Sequence, residues 1–554
     1  MRISRMGAIV GGIALATTVA LAGCSTGGGS DSGASGYITA NGSEPQNPLI
    51  PTNTNEVGGG KILDAIFAGL VYYEADGTPV NDLAESITSD DQQTYTIKIK
   101  SGEKFSNGEE VTSDSFINAW KDGALLSNER LNSYFFEDIE GFSYDEDSDL
   151  TGLKKVDDQT FTVTLKSKLA DFPLRLGYSA FYPLPTEAFD SDGKVTKAFG
   201  ENPIGNGPYK LDGGKKAWQH DVQIDLATNK TYTGGRKADN TGLTIKFYAT
   251  LDAAYQDLLG GNLDVLDALP ESAFSTFKSD LGDRAINTPG AVFQSFTIPS
   301  DLTNYTDQSA FAHFVGDEGK LRRQAISYAI DRDTITDKIF DGTRTPAEDF
   351  TSPTIAGFKK DIPGSEVLKY DPDKAAELWA QADAISPWSG SFSIAYNTDG
   401  GHKAWVDAVC NNLNNNLKGM DCSGKAYPTF AQARTLISKN DAGKRDITTA
   451  FRSGWQADYP GLFNFLGPLY ATNASSNDGD YSNPEFDKLI QEGSASADTD
   501  AANAKFQQAE EILFQDLPAI PLWYQNTVGG YGENVENVKV DWHSVPIYYQ
   551  ITKK

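Results

Sequence analysis

Cysteine, methionine and histidine are scarce in this chain of 554 residues, which has three, three and four of them. The four histidines show no ligand spacing around the cysteines, so no zinc site is read from the sequence and no metal is expected. Basic residues are short as well, 47 Lys and Arg against 76 Asp and Glu, for a formal net charge of -29. An acidic surface of this size argues against nucleic acid as a partner and against spreading along an anionic membrane; attraction of cationic ligands is compatible with it. Long apolar runs are missing after position 22, which puts the body of the chain outside the bilayer. There is no Gly-x-Ser-x-Gly elbow and no His-Glu-x-x-His motif. The chain is therefore expected not to be an enzyme, with no catalytic residue and no cofactor; abundant carboxylates keep a hydrolase as the remaining catalytic alternative.

What is present begins at the N-terminus. Arg2 and Arg5 precede a Gly- and Ala-rich apolar run over 6–22, the layout of a signal peptide rather than a membrane span. Leu21-Ala22-Gly23-Cys24 resembles the lipobox of bacterial lipoproteins, which implies cleavage of 1–23 and lipidation of Cys24. Residues 24–36 are then a lipidated N-terminus and a Ser/Gly-rich tether that cannot build a core. With Cys24 assigned to lipid, Cys410 and Cys422 remain as a pair in an exported protein, where a disulfide is expected. Closing so short a loop contributes roughly 3 kcal/mol by chain entropy; two reduced thiols are the alternative.

A chain of this length exceeds one hydrophobic core, so two or three domains are expected. Period-two alternation over 94–100 and 161–165 predicts half-buried strands, and 243–248 reads as another. Helical spacing predicts helices over 61–70, 253–259, 320–330 and 502–514, and Thr112-Ser113-Asp114 offers an N-cap before Phe116. Asp76-Gly77 and Asn107-Gly108 mark turns. Gly205-Asn206-Gly207-Pro208 superficially suggests a phosphate loop but lacks Gly-Lys-Ser/Thr, and is read as a structural turn. Mixed short strands and helices without a simple repeat indicate an α/β and α+β multidomain protein.

Several segments, in order, resemble one family. They include Asn47-Pro48-Leu49, Phe105-Ser106-Asn107-Gly108-Glu109 and Pro203-Ile204-Gly205-Asn206-Gly207-Pro208-Tyr209. The most diagnostic is Gly454-Trp455-Gln456-Ala457-Asp458-Tyr459-Pro460. Together they resemble the extracytoplasmic solute-binding proteins of oligopeptide and dipeptide ABC importers, the bacterial family 5 solute-binding proteins. The resemblance spans essentially the whole body from Tyr37 onward. It implies a two-lobed periplasmic-binding-protein-like fold of type II, the large peptide-binding class, with an additional domain and a hinge. Domain I would combine 37–75, 199–294 and 523–554, domain II would take 76–198, and domain III 295–522.

The implied function is a lipid-anchored receptor on the outer face of the cell membrane. It would bind peptides in an interdomain cleft and deliver them to the permease subunits of an ABC transporter, working as a monomer. A same-fold receptor for an oligosaccharide or another small solute is the alternative. An extended peptide offers main chain to pair as an added strand, and its ammonium needs an acidic partner once desolvated. By resemblance that partner is Asp458, with Gly454, Ala457 and Tyr459 in the same motif. Trp455 would pack beside the ligand or support the loop, and Arg452 would meet the peptide carboxylate or form a salt bridge between lobes. Asn53 and Gly58 would supply groups from the opposite lobe, Gly58 within a Gly58-Gly59-Gly60 run that permits close approach or flexibility; Tyr396 and Trp405 are expected to line the pocket.

Overall fold

The computed structural model describes residues 36–398 and 401–554. The readings that fall on 1–35, signal peptide, Cys24 and tether, lie outside the described residues.

Two antiparallel strands of thirteen residues, Ala285–Thr297 and Ala519–Tyr531, run side by side through the molecule. At one end Tyr531 and Gly530 pair with the short strand Val265–Leu266, which leads through Tyr37–Gly42 and Gly242–Phe247 to Gln223–Thr228 and Tyr209–Leu211. At the other end Val292 to Thr297 pair with Ala450–Gln456, followed by Phe392–Asn397 and Cys422–Tyr427. Among the described residues a twelve-stranded sheet thus continues from one lobe into the other. The register of the long pair shifts between Pro289 and Val292 and again between Gln294 and Ser295, bulges that bend and twist the ribbon where it crosses.

Each lobe has its own core. One packs Ile38, Phe67, Trp120 and Phe161, and the other packs Phe296, Trp379, Phe465 and Trp523. The first lobe also carries a four-stranded antiparallel sheet, in the order Ala84–Thr88, Thr94–Ile99, Thr160–Thr164, Leu153–Lys155. In Thr94–Ile99 the residues alternate exposed and buried, because Tyr95, Ile97 and Ile99 face the core on which the helix Ser113–Ala124 lies. Ser115 Oγ accepts the main-chain N–H of Thr112 at 3.2 Å at the start of that helix.

The helix expected over 61–70 spans Val57–Ile66, so the three glycines lie inside its first turn. Gly58 and Gly59 are packed, whereas Gly60 has open space beside it. A Cβ on Gly58 would lie 2.7 Å from the Ser43 carbonyl oxygen, and one on Gly59 would lie 2.5 Å from Thr54 Cγ2. Glu56 caps this helix by accepting Gly59 N–H at 2.8 Å. Cys410 and Cys422 are joined by a disulfide that ties the helix Lys403–Asn416 to the strand Cys422–Tyr427. No described helix is long and apolar enough to cross a membrane.

Candidate functional site

Between the lobes lies a cavity of about 290 Å³. One wall is the end of the strand Ala450–Gln456 and the turn after it, Gln456, Ala457 and Asp458; the other comes from the opposite lobe and the C-terminal segment, including Asp64, Tyr73, Tyr178 and Asp541.

The strand Ala450–Gln456 has one edge paired and one edge largely open. Along Ala285–Thr297 it is paired from Phe451 to Gln456, whereas its contact with Phe392–Asn397 ends at Phe451. Ala457 N–H donates to Ala291 O at 3.0 Å. Alternation in an antiparallel ladder then turns the main-chain groups of Gly454 and Gln456 away from the paired edge. Gly454 and Gln456 are both exposed. Here an extended chain can add as a further strand.

Asp458 stands at the end of that open edge. Asn464 holds its main-chain N–H and Oδ2, while Oδ1 receives no hydrogen bond from the described residues. Its exposed area is intermediate because the carboxylate faces the cavity. Dense surroundings nonetheless remove most of its water, and this burial pushes its carboxyl up to about 6, with the Asn464 bond pulling the other way. Tyr73, Tyr134 and Tyr178 lie close enough for the Asp458 charge to raise their hydroxyls further above the usual range, after burial itself.

The structure sorts the residues expected from sequence. Ala457 and Asp458 border the cavity. Trp455 borders not this cavity but a second one on the same strand, and donates Nε1 to Asn464 Oδ1 at 3.2 Å, supporting the amide that holds Asp458. Tyr459 is 3 % exposed and donates to Asp171 Oδ2 at 3.1 Å, a packing role across the lobes. Gly454 and Arg452 also border that second cavity, of about 260 Å³. There the Arg452 guanidinium lies 5.3 Å from the Phe430 ring centre, and its Nε donates to Asn397 Oδ1 at 2.8 Å.

Four of the expected residues lie outside both cavities. Tyr396 and Trp405 are each 4 % exposed in the core of their lobe and border neither cavity; Trp405 packs 5.5 Å from the Trp523 ring. Asn53 also borders neither, and its Oδ1 accepts Leu131 N–H at 3.2 Å. Gly58 faces Ser43, as described above, while its neighbours Val57 and Gly60 reach the wall.

Sequence reasoning missed the opposite wall. Tyr182 donates to Asp64 Oδ1 at 2.7 Å, and Arg236 donates to the main-chain oxygens of Asp64 and Phe67 at 2.7 and 2.8 Å. Asp541 Oδ1 accepts the N–H groups of His543 and Val545, both at 2.9 Å. Burial pushes Asp541 up to about 7 and His543 down to about 4, so neutral His543 Nε2 accepts the Gln456 amide at 3.0 Å across the cleft. The run Asp541-Trp542-His543 was the available signal, one acid and two ring side chains together near the C-terminus. Among the described residues no group of three or more His, Cys, Asp or Glu is placed to hold a metal ion.

Two lobes on a shared sheet, with a cleft that offers an open strand edge and a desolvated carboxylate, define a solute receptor. The chain belongs to the bacterial extracellular solute-binding proteins, family 5, whose middle region matches residues 78–477. It is accordingly an extracytoplasmic transport receptor and not an enzyme. It is similar to the oligopeptide-binding protein OppA of Bacillus subtilis strain 168, 26 % identical over 508 residues, covering 88 % of each chain. Among solved structures, the unliganded open form of the periplasmic murein tripeptide binding protein MppA shares the fold with a TM-score of 0.77 at 20 % identity, covering 93 % of this chain and 97 % of that one. Haemophilus influenzae OppA in complex with RPPGFSPFR matches with a TM-score of 0.69 at 23 % identity, covering 93 % and 98 %.

Proposed function

We propose that this receptor captures peptides in the cleft and delivers them to the permease subunits of an ABC importer. The observation that carries the reading is the open edge of the strand Ala450–Gln456 ending at Asp458. Main-chain pairing binds any sequence, and Asp458 Oδ1 meets the α-ammonium, which is costly to bury alone. The relatives named for oligopeptide, dipeptide and murein peptide binding support the same reading. Closure follows from differential affinity: a ligand touching both walls favours the state in which they approach. The proposed hinge is the ribbon of the two long strands, with domain I over 37–75, 199–294 and 523–554, domain II over 76–198 and domain III over 295–522. A lipid on Cys24 holds the receptor at the outer membrane face.

Isothermal titration with tri-alanine and its N-acetyl form tests the site. Acetylation should weaken binding by roughly tenfold to a hundredfold, the value of a hydrogen bond to a charged group. Equal affinity would remove Asp458 from this role. Native mass spectrometry of the purified receptor should release peptides; a single homogeneous sugar would overturn the peptide reading.

A further inference from the structure

The interlobe cavity is lined by more carboxyl groups than one ammonium can pair with. Glu56, Asp64, Asp458 and Asp541 border it, against Lys61 and Arg236. Lys61 pairs with Asp267, which does not line the cavity, and also lies in the field of Asp541; Arg236 Nε lies 3.5 Å from Asp82 Oδ2, and its charge also reaches Asp64. Glu56 is turned toward the helix it caps. His543 is neutral and adds nothing positive.

Asp64 and Asp541 remain beyond Asp458. Each uses one oxygen on the protein, Asp64 Oδ1 for the Tyr182 hydroxyl and Asp541 Oδ1 for two main-chain N–H groups, and the second oxygen of each receives no hydrogen bond from the described residues. The two carboxylates are near enough that the charge of Asp64 raises Asp541. An independent sign is Tyr548, which borders the same cavity, is 5 % exposed and leaves its buried hydroxyl without a hydrogen-bond partner among the described residues. It lies within the fields of Asp267 and Asp541. A buried orphan hydroxyl in the field of Asp541, itself in the field of Asp64, is complementary to a ligand group with several N–H donors. Tyr73 and Trp542, packed edge to face at 5.4 Å, add aromatic surface of the kind cations favour.

We propose that Asp64, Asp541 and the Tyr548 hydroxyl form a second cation position, which takes the basic side chain of a peptide whose α-ammonium is held by Asp458. This rests on the peptide reading above and adds to it a preference for lysine- or arginine-bearing peptides. The two charged ends of such a ligand meet opposite walls of the cleft.

The test is calorimetric titration of Lys-Ala-Ala, Ala-Lys-Ala and Ala-Ala-Lys, each against its norleucine counterpart, which keeps the aliphatic stem and loses the charge. At one lysine position the charged peptide should bind roughly tenfold to a hundredfold tighter. That ratio should fall toward one in Asp541→Asn and Asp64→Asn, and fall in part in Tyr548→Phe, which keeps the ring should an acid variant fail to fold. Equal binding of every lysine and norleucine pair, or an undiminished ratio in the variants, overturns the second position and leaves the peptide reading intact. If no peptide binds at all, the peptide reading fails and this proposal falls with it.

Discussion

Asn464 holds Asp458 with both ends of its amide: Oδ1 accepts the Asp458 main-chain N–H at 2.8 Å, and Nδ2 donates to Asp458 Oδ2 at 3.1 Å. The same Oδ1 accepts Trp455 Nε1. One buried amide therefore fixes the carboxylate, the turn and the indole, and leaves Asp458 Oδ1 without a hydrogen bond from the described residues at the cavity wall.

Asn464→Ala removes all three bonds at a site 3 % exposed and should cost about 1–3 kcal/mol of stability. Affinity for tri-alanine should drop about tenfold. Because the Asn464 bond lowers the Asp458 carboxyl, the acid limb of the binding profile should move to higher pH, which a mere loss of stability would not do.

Peptide affinity itself should follow a bell in pH. Asp458 at about 6 must lose its proton before it can pair with an ammonium, so affinity rises from pH 5 to 7 with proton release. Above about 8 the peptide amine deprotonates and affinity falls. Titration of tri-alanine in buffers of different ionisation enthalpy measures the released proton; a flat profile between pH 5 and 7 would contradict Asp458 as the partner.

Glu510 is 0 % exposed and faces Asp349, with the Phe350 main chain pulling its carboxyl down. Burial is the main cause of the upward shift of both, Asp349 to about 7. The folded state thus holds protons that the unfolded chain releases near pH 4, so stability falls as pH rises from about 4 through 7. Glu510→Gln should raise the melting temperature at pH 8 by roughly 2–4 °C, with the gain shrinking at pH 5. Calorimetry at the two pH values decides it.

Gly205 cannot be enlarged. A Cβ there would lie 1.9 Å from the Ile66 carbonyl oxygen, and one on Gly207 would lie 2.6 Å from the Phe67 oxygen. Gly205→Ala should destabilise the first lobe by about 3 kcal/mol, read as a lower melting temperature.

Much of the fold was legible where periodicity carries it. The alternation of 94–100 appears as Thr94–Ile99, and the spacings over 253–259, 320–330 and 502–514 appear as Leu251–Leu259, Gly316–Tyr328 and Thr499–Asp516. The helix Val57–Ile66 was misplaced because glycine counts against a helix until tertiary contacts leave no room for anything larger. In the site, one local motif announced Asp458 and its turn. Asp64, Tyr182, Asp541 and Tyr548 come from distant stretches joined only when the chain crosses between lobes twice, and no spacing records that. Tyr396 and Trp405 show the converse: aromatic residues suit a pocket but serve a core equally well, and here they pack in one.

The bond between Cys410 and Cys422 reaches the outermost strand of the long sheet. Cys422–Tyr427 pairs on one side only and keeps four of its six residues in solvent, so its other edge is an unoccupied template for a foreign strand. Fastened at its first residue to the helix beneath, and gripped there by the Asn414 side chain through both main-chain groups of Cys422, it is the least free to peel where peeling would begin. Under the proposed function this is a division of labour between two open strand edges: one left available to an extended ligand inside the cleft, the other moored against recruitment on the outside.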